Sequence, residues 1–207
     1  CRRCAASLRS TPMADSREEL KRVLERAALP RTEPYPCPYL PDRVAVQYGF
    51  RSHQVDAETY HDLMDLGFRR SGRIFYAMDC PSCRACVPLR VPVATFRPSR
   101  SQRRVLRRNA DVQMQLVAAE PTPAAAALYR RYLKERHPGT SQDDDLEALF
   151  DSAVHTLEAR YTIAGELVAF SLIDASTRSW SSVYHCFEPA LHRRSLGVYS
   201  ALAEIEH

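Results

Sequence analysis

The sequence predicts an α+β protein in two parts, residues 14–94 and residues 95–207. The chain has 207 residues, and 45% of them are hydrophobic, which is enough for one large core or two small ones. The first part is rich in prolines and carries a cluster of cysteines. The second part reads as a strand, two helices, three strands joined by tight turns, and a final helix.

Local signals predict the elements of the first part. Ser16, followed by Glu19 three residues on, is typical of a capping box at a helix start. A proline-rich linker around Cys37 excludes helix and central strand. Asp56 caps a second helix, which Gly67 ends. The expected helices are 16–28 and 56–66, and the expected strands are 43–50, 73–77 and, edge-like because of two prolines, 87–94.

The second part has equally clear signals. Ser99 with Gln102 forms another capping-box pattern, and Thr122 precedes Pro123 as a cap precedes the first helical residue. An acidic stretch at 143–145 leads into a short helix. The expected strands are 111–118, 157–163, 167–174 and 179–187. This order resembles the GNAT type of acyltransferase domain, in which the helix after the fourth strand meets the acyl donor with its N-terminus.

Three of the seven cysteines lie within seven residues, at Cys80, Cys83 and Cys86. Two-residue spacers let neighbouring thiolates reach one ion. Because no secretory signal precedes them, we expect reduced thiols that bind a metal rather than form disulfides. Cys37 is the preferred fourth ligand, and Cys186 is a weaker one. Zinc and a [4Fe–4S] cluster both suit such a set, and ordinary loop cysteines are the alternative.

Positive charge is concentrated in one predicted helix. Residues 97–108 hold six arginines and no acid, whereas the whole chain has a net charge of +4, which leaves −2 for the remainder. Arginines three and four positions apart form one cationic face on a helix, with Val105 and Leu106 on the inner side. Such a face can neutralise phosphates, and a solvated face balanced by distant carboxylates is the alternative. The face comprises Arg100, Arg103, Arg104, Arg107 and Arg108.

The turn into the final helix is a second candidate anion site. Arg193, Arg194 and Gly197 stand where free backbone N–H groups would attract a phosphate or a developing oxyanion. In GNAT acetyltransferases the corresponding turn has a small residue where this chain has Tyr199. That difference disfavours coenzyme A as the donor.

Seven segments form a recognisable set of motifs. They are CPYLP at 37–41, GFRRSG at 67–72, CPSCRACVPLR at 80–90, FRPSRSQRRVLRRNAD at 96–111, LYRRY at 128–132, SVY at 182–184 and RRSLG at 193–197. The set resembles the bacterial aspartate/glutamate leucyltransferases of the arginyl-tRNA–protein transferase family. Members of that family continue beyond the final helix, and no stop signal precedes His207, so we expect this chain to be truncated at its C-terminus.

The resemblance implies a GNAT-like catalytic domain behind a cysteine-bearing domain. It also implies an activity in the N-degron pathway of protein degradation. The enzyme transfers leucine, or arginine, from aminoacyl-tRNA to the N-terminal amine of proteins that begin with Asp or Glu. We accordingly expect the arginine helix and the Gly197 turn to bind tRNA.

The transfer reaction needs alignment of an activated ester with a neutral amine, together with a proton acceptor. Tyr184 and His185 are candidate acceptors, and a buried hydrogen-bonded pair is the alternative interpretation. The acidic side chain of the target protein also needs a cation. The candidate arginines are Arg69, Arg70 and Arg73.

Two other functions fit parts of the pattern. A coenzyme A-dependent N-acetyltransferase fits the order of elements but not the arginine helix. A non-catalytic, metal-stabilised RNA-binding module fits the cysteines and arginines but gives the second part no role. No stretch approaches the roughly 18 apolar residues of a membrane span. We therefore expect a cytoplasmic protein whose partners are aminoacyl-tRNA and acceptor proteins, not membranes.

Overall fold

The computed structural model describes residues 13–137 and residues 146–207. Those residues form a mixed helix and sheet structure, which confirms the α+β class. The helices are α1 (Met13–Arg26), α2 (Ala57–Asp65), α3 (Arg100–Arg108), α4 (Pro123–Arg136), α5 (Leu146–Phe150) and α6 (Leu196–Glu206). The strands are β1 (Tyr35–Pro36), β2 (Val44–Ala45), β3 (Gln47–Arg51), β4 (Arg69–Ser71), β5 (Ile74–Met78), β6 (Gln113–Ala118), β7 (Thr156–Ile163), β8 (Glu166–Ala175) and β9 (Trp180–Phe187). No helix in the described ranges is long and apolar enough to cross a membrane.

The first part folds around a three-stranded antiparallel sheet in the order β3-β5-β4. Asp56 caps α2 as predicted, because its carboxylate accepts two backbone N–H groups of the first turn. Tyr60 and Leu63 of α2 pack in one core with Phe75 of the central strand. A side chain at Gly49 would place its Cβ 2.1 Å from the carbonyl oxygen of Phe75, so β3 needs a glycine there to pair with β5.

The second part is built on a four-stranded antiparallel sheet in the sequential order β6-β7-β8-β9. Helix α4 covers one face, where Leu128 and Leu133 pack in one core with Phe170. Helices α3 and α6 cover the other face, where Leu196 packs in a core with Ile173. Because successive side chains of a strand point to opposite faces, the buried strand β8 contributes to both cores.

A buried polar cluster joins the two parts. Asp174, near the end of β8, accepts two hydrogen bonds from Arg70 of β4, over 2.6 and 2.8 Å. It also accepts hydrogen bonds from the hydroxyl groups of Tyr60 and Thr156. Residues 153–154, just before β7, belong to the core of the first sheet. The two parts of the chain therefore share buried contacts.

Two predictions about local structure were wrong, and one strand was missed. Residues 87–94 form no strand, because their two prolines lack the N–H groups that a ladder requires, and a 3₁₀ turn begins at residue 93. Ser16 does not cap α1, which begins three residues earlier, and its hydroxyl instead donates to Asp62. The short strand β4 was not predicted at all. The acidic stretch at 143–145 lies outside the described residues.

Candidate functional site

Helix α3 presents arginines that have no acidic partner among the described residues. Its capping box is formed in both directions between Ser99 and Gln102, which confirms the predicted start. Val105 and Leu106 pack against the core, so the arginines project outward. In the described parts of the chain, none of these arginines forms an ion pair with a carboxylate. The exposed residues are Arg100, Arg103, Arg104, Arg107 and Arg108.

The C-terminal end of α3 is tied to the turn before α6. Arg108 donates to the carbonyl oxygen of Arg193 over 2.6 Å, and Asn109 donates to that of Arg194 over 2.9 Å. The Arg194 guanidinium in turn donates to Asn109, to the Arg108 carbonyl and to Asp111. Arg194 thus stabilises the turn through these hydrogen bonds. The exposed Arg193 side chain has no acceptor among the described residues. The two predicted anion-binding elements are therefore adjacent in the fold.

The turn before the final helix is not itself α-helical. Residues Pro189–Arg194 form a 3₁₀ turn, and α6 begins only after Ser195, which adopts a left-handed conformation with φ 57°. Within α6, the first amide that donates a backbone hydrogen bond is that of Val198, to the Ser195 carbonyl. The N–H groups of Leu196 and Gly197 have no backbone acceptor in the described chain. Leu196 is buried, so it is the N–H group of the exposed Gly197 that can meet an anion.

A cleft of about 390 Å³ lies between the two parts of the chain. Tyr76 of β5 and the end of β4 line one side, and Tyr129 of α4 and Tyr184 of β9 line the other. The rings of Tyr129 and Tyr184 meet edge to face with centroids 5.8 Å apart. Burial and the neighbouring Tyr129 raise the pKa of Tyr184, so its phenol stays protonated at neutral pH and can donate a hydrogen bond.

A second cleft, of about 460 Å³, is larger but contains none of the predicted site residues. It lies between residues 53–57 and residues 152–155. Because no predicted site residue lines this cleft, its larger volume is not a reason to choose it as the site.

The three candidate arginines of the first part have different environments. Arg69 stands opposite Tyr76 in the β4–β5 ladder, and cross-strand partners project from the same face of a sheet. Arg69 therefore lies on the same face of the sheet as Tyr76, which lines the smaller cleft, although Arg69 itself is not among the lining residues. Arg70 is 1% exposed and is held by Asp174, and Arg73 pairs with Asp151 over 2.7 Å. In the described residues, Arg69 alone of the three has no acceptor for its guanidinium.

His185 is brought next to the Gly197 turn. Its Nδ1 lies 3.0 Å from Ser171 Oγ, and its Nε2 is buried with no partner among the described residues. A Cβ atom built on Gly197 would lie 3.9 Å from that Nε2. Burial lowers the pKa of His185 to about 4, so the imidazole is neutral at pH 7. Tyr184, the neighbouring candidate, packs instead on the α4 side of the sheet.

The cysteines of the predicted metal site lie in one region. Three of them, Cys37, Cys80 and Cys86, lie near the phenol of Tyr35. Burial raises the pKa of this phenol, and the neighbouring thiols raise it further. Across residues 13–137 and 146–207, however, no three His, Cys, Asp or Glu side chains are arranged to hold a metal ion. In this geometry the thiols do not form a coordination site. Cys186 lies in the α4 core, where burial raises its pKa to about 12, so it does not suit a thiolate ligand.

Two family models match this chain. Arginine-tRNA-protein transferase, N terminus, matches residues 35–104, and Arginine-tRNA-protein transferase, C terminus, matches residues 124–207. The chain belongs to the arginine-tRNA-protein transferase family. The N-terminal match ends inside α3, and the C-terminal match begins at the start of α4.

The chain is also similar to proteins named Aspartate/glutamate leucyltransferase. The one from Marinobacter nauticus is 40% identical over 182 residues, which are 84% of this chain and 76% of the relative. The one from Chromobacterium violaceum is 39% identical over 181 residues, 84% of this chain and 75% of the relative. The one from Pseudomonas fluorescens (strain SBW25) is 38% identical over 188 residues, 88% of this chain and 80% of the relative.

Sequence reasoning missed several residues that shape the site in this family member. Tyr76 and Tyr129 line the cleft, yet neither was singled out, although Tyr129 lies in the LYRRY motif. The sequence pattern places Asp174 only within an expected strand. A signal was available there, because an acid in a strongly apolar strand needs a buried partner.

Proposed function

We propose that this chain is an aminoacyl-tRNA–protein transferase that moves leucine from leucyl-tRNA to the N-terminal amine of proteins beginning with Asp or Glu. Membership of the family and the names of the relatives support this donor and this acceptor. The structural observation that carries the proposal is the arginine face of α3, which lacks acidic partners in the described residues. A product with N-terminal leucine would enter the N-degron pathway, and the use of tRNA assigns the reaction to the cytoplasm.

The arginine face suits the donor because RNA carries one charge per phosphate. Guanidinium groups hold phosphate oxygens with two parallel hydrogen bonds, and each neutralised phosphate releases counterions. Like charges at helical spacing also repel one another, so a bound polyanion relieves strain within α3. The face is adjacent to Arg193 and the Gly197 turn. We assign the tRNA backbone to α3 and the acceptor end to the start of α6.

The smaller cleft suits the acceptor. Arg69, on the same face of the sheet as the cleft residue Tyr76, offers a cation for the acidic side chain. The protonated phenol of Tyr184 offers a hydrogen-bond donor within the cleft. A charge-assisted bond to a carboxylate distinguishes Asp or Glu from neutral first residues. Because Arg70 and Arg73 already have carboxylate partners, the acceptor role falls to Arg69.

The chemistry is undemanding because the ester is already activated. An N-terminal amine has a pKa of about 7.7–8.0, so a large share is neutral near that pH and nucleophilic. The protein has to align amine and ester and stabilise the oxyanion that forms. The free amide of the exposed Gly197 is suited to that oxyanion. The sequential antiparallel sheet with α6 directly after β9 supports assignment of the second part to the GNAT-like folds.

A comparison of donors tests the proposal. The protein is mixed with a peptide beginning with Asp and with radiolabelled leucyl-tRNA, arginyl-tRNA or acetyl-coenzyme A. We expect label on the peptide from leucyl-tRNA, abolished by RNase. Label from acetyl-coenzyme A that survives RNase would establish an acetyltransferase instead. Binding of tRNA without transfer from any donor would establish an RNA-binding module.

A further inference from the structure

The first sheet has one covered edge and one open edge. On the outer side of β3, the amide of Gly49 donates to the Pro30 carbonyl. The amide of Thr32 donates to the Gln47 carbonyl on the same side. The other outer strand is β4, and outside its ladder with β5 its main chain forms no hydrogen bond with any described residue. An unpaired strand edge of this kind can pair with another extended chain.

The hairpin that joins β4 to β5 decides which main-chain groups point to the open edge. Gly72 and Arg73 form its two-residue loop, and Gly72 has a φ of 56°, as the first position of a type II′ turn requires. Ser71 and Ile74, on either side of that loop, therefore form a hydrogen-bonded pair. Because such pairs alternate with pairs that are not hydrogen-bonded, the N–H and C=O groups of Arg70 point away from β5.

The carbonyl group of Phe75 supports this direction independently. Phe75 is the partner of Arg70 in the ladder. A Cβ atom at Gly49 of β3 would lie 2.1 Å from the Phe75 carbonyl oxygen, so that oxygen faces β3 and not β4. In a pair that is not hydrogen-bonded, both residues turn their main-chain groups away from each other. The Arg70 groups therefore face the open edge.

The open edge of β4 faces the smaller cleft. Arg70 and Ser71 line this cleft, and Tyr129 and Tyr184 line its other side. The Arg70 side chain is 1% exposed, whereas the whole residue is 6% exposed, so its exposure comes mainly from the main chain. The buried ion pair with Asp174 holds β4 in position. The edge is thus preorganised to receive a ligand, which reduces the entropic cost of binding.

A polypeptide is the ligand that such an edge suits. The proposed reaction requires Asp or Glu only at the first position, so the residues that follow differ from one acceptor protein to another. Contacts beyond the first residue then have to use groups that every acceptor has, which are the main-chain N–H and C=O groups. A strand edge binds these groups whatever the side chains are, and pockets for alternate side chains give specificity.

We propose, on the basis of the transfer reaction above, that the N-terminal segment of the acceptor binds in the smaller cleft as an extended strand paired with the outer edge of β4. The N–H and C=O groups of Arg70 form the main-chain hydrogen bonds to it. With the first residue placed opposite Arg69 or Ser71, its acidic side chain lies on the face of the sheet that Arg69 shares with Tyr76. The second side chain points to the opposite face. This arrangement recognises the first side chain and leaves the second unread.

Acceptor peptides with one N-methylated amide test the pairing without any change to the protein. Successive N–H groups of a strand point to opposite sides, so only one of the amides of the second and third residues faces β4. In a peptide beginning with Asp, a methyl group on that amide removes its hydrogen bond, and we expect the KM for the peptide to rise about tenfold. A methyl group on the other amide is the matched control and should change KM far less. Equal KM values for the two methylated peptides would overturn the pairing.

Hydrogen exchange followed by NMR tests the same edge without any transfer reaction. The amide of Arg70 has no acceptor in the free protein, and its exchange should slow when a peptide beginning with Asp is added to saturation. The amide of Ser71 is the control within the protein, because it already donates to β5 and should exchange at the same rate with and without peptide. Peptide binding that leaves the exchange rate of Arg70 unchanged would overturn the proposal.

The two experiments distinguish failure of the strand pairing from failure of the proposed function. Slowed exchange at Arg70, with no transfer from either aminoacyl-tRNA, would overturn the function but support the paired strand. Transfer to the Asp peptide, with unchanged exchange at Arg70 and equal KM values for the methylated peptides, would support the function and overturn the strand.

Discussion

Arg70 and Asp174 form a buried ion pair that joins β4 to the end of β8. Their nitrogen and oxygen atoms are 2.6 and 2.8 Å apart, and the side chains are 1% and 0% exposed. Tyr60 and Thr156 also donate to this carboxylate. Because Arg70 is flanked by Arg69 and Ser71 on one short strand, the pair holds one wall of the smaller cleft against the second part of the chain.

Replacement of Asp174 by Asn should destabilise the protein strongly. It leaves the Arg70 charge buried without a counter-ion, and loss of one partner of a buried pair costs about 3–5 kcal/mol in the free energy of unfolding. Urea denaturation measures the change. Asp151→Asn is the matched control, because it breaks the exposed pair with Arg73 and should change stability far less. Equal losses would contradict a special role for the buried pair.

Replacement of Arg104 by Gln should weaken tRNA binding and its dependence on salt. Each lost phosphate contact lowers the slope of log Kd against log salt concentration by about 1. Fluorescence titration of labelled tRNA at several salt concentrations measures the slope. Arg22→Gln removes an exposed arginine from α1, and its slope should equal that of the wild type. An unchanged slope in Arg104→Gln would exclude that residue from the interface.

Replacement of Arg69 by Ala should impair recognition of the acidic residue. A hydrogen bond to a charged group is worth about 1.5–3 kcal/mol, so the KM for an Asp peptide should rise at least about tenfold. The KM for leucyl-tRNA should stay constant in the same transfer assay. Arg51→Ala alters the strand on the other side of β5 and should change neither value. A normal KM for the Asp peptide in Arg69→Ala would remove this arginine from the account.

The spacing of the cysteines predicts a bound metal, either zinc or a [4Fe–4S] cluster. Its ligands would be Cys37, Cys80, Cys83 and Cys86. Protein purified without oxygen should contain it, and Cys83→Ser should lose it and show a lower Tm. Elemental analysis gives the metal content. Cys186→Ala removes a buried core thiol outside the cluster and should keep the metal. Wild-type protein that contains no metal, and whose Tm equals that of Cys83→Ser, would contradict the prediction. It would agree with the described geometry, in which the thiols form no metal site.

Stability should depend on pH through His185. Burial lowers its pKa from 6.5 to about 4, so between these values the unfolded chain binds a proton that the folded chain does not. The stabilisation is complete above pH 6.5 and is lost as the pH falls towards 4. His185→Phe should make this decline shallower in urea denaturation at a series of pH values. Part of the decline should persist, because burial also lowers the pKa of His61. An unchanged decline would contradict a buried neutral His185.

Local signals predicted much of the fold. The helix caps at Asp56, Ser99 and Thr122 are formed as predicted. The last three strands of the second sheet are joined by tight turns, also as predicted. Both features depend only on residues that are close together in the sequence. The short strand β4 could not be predicted in this way. Three residues are too few to show a period, and the strand exists because β5 supplies its partners.

The sequence predicts which residue types the candidate site contains, but not how they are arranged in space. The arginine helix is visible in sequence because its charge is local. The buried role of Arg70 depends on Asp174, which lies 104 positions away, and no local pattern reveals such a partner. Long-range polar contacts decide which of several similar side chains remain available to a substrate.

Transfer to peptides that differ only in their first residue tests the central claim most directly. The protein is incubated with leucyl-tRNA and peptides beginning with Asp, Glu, Asn or Ala, and mass spectrometry follows the products. The account predicts one added leucine at the N-terminus of the Asp and Glu peptides only, because a carboxylate is needed at the cleft. Equal modification of the Asn peptide, or no modification of any peptide, would contradict it.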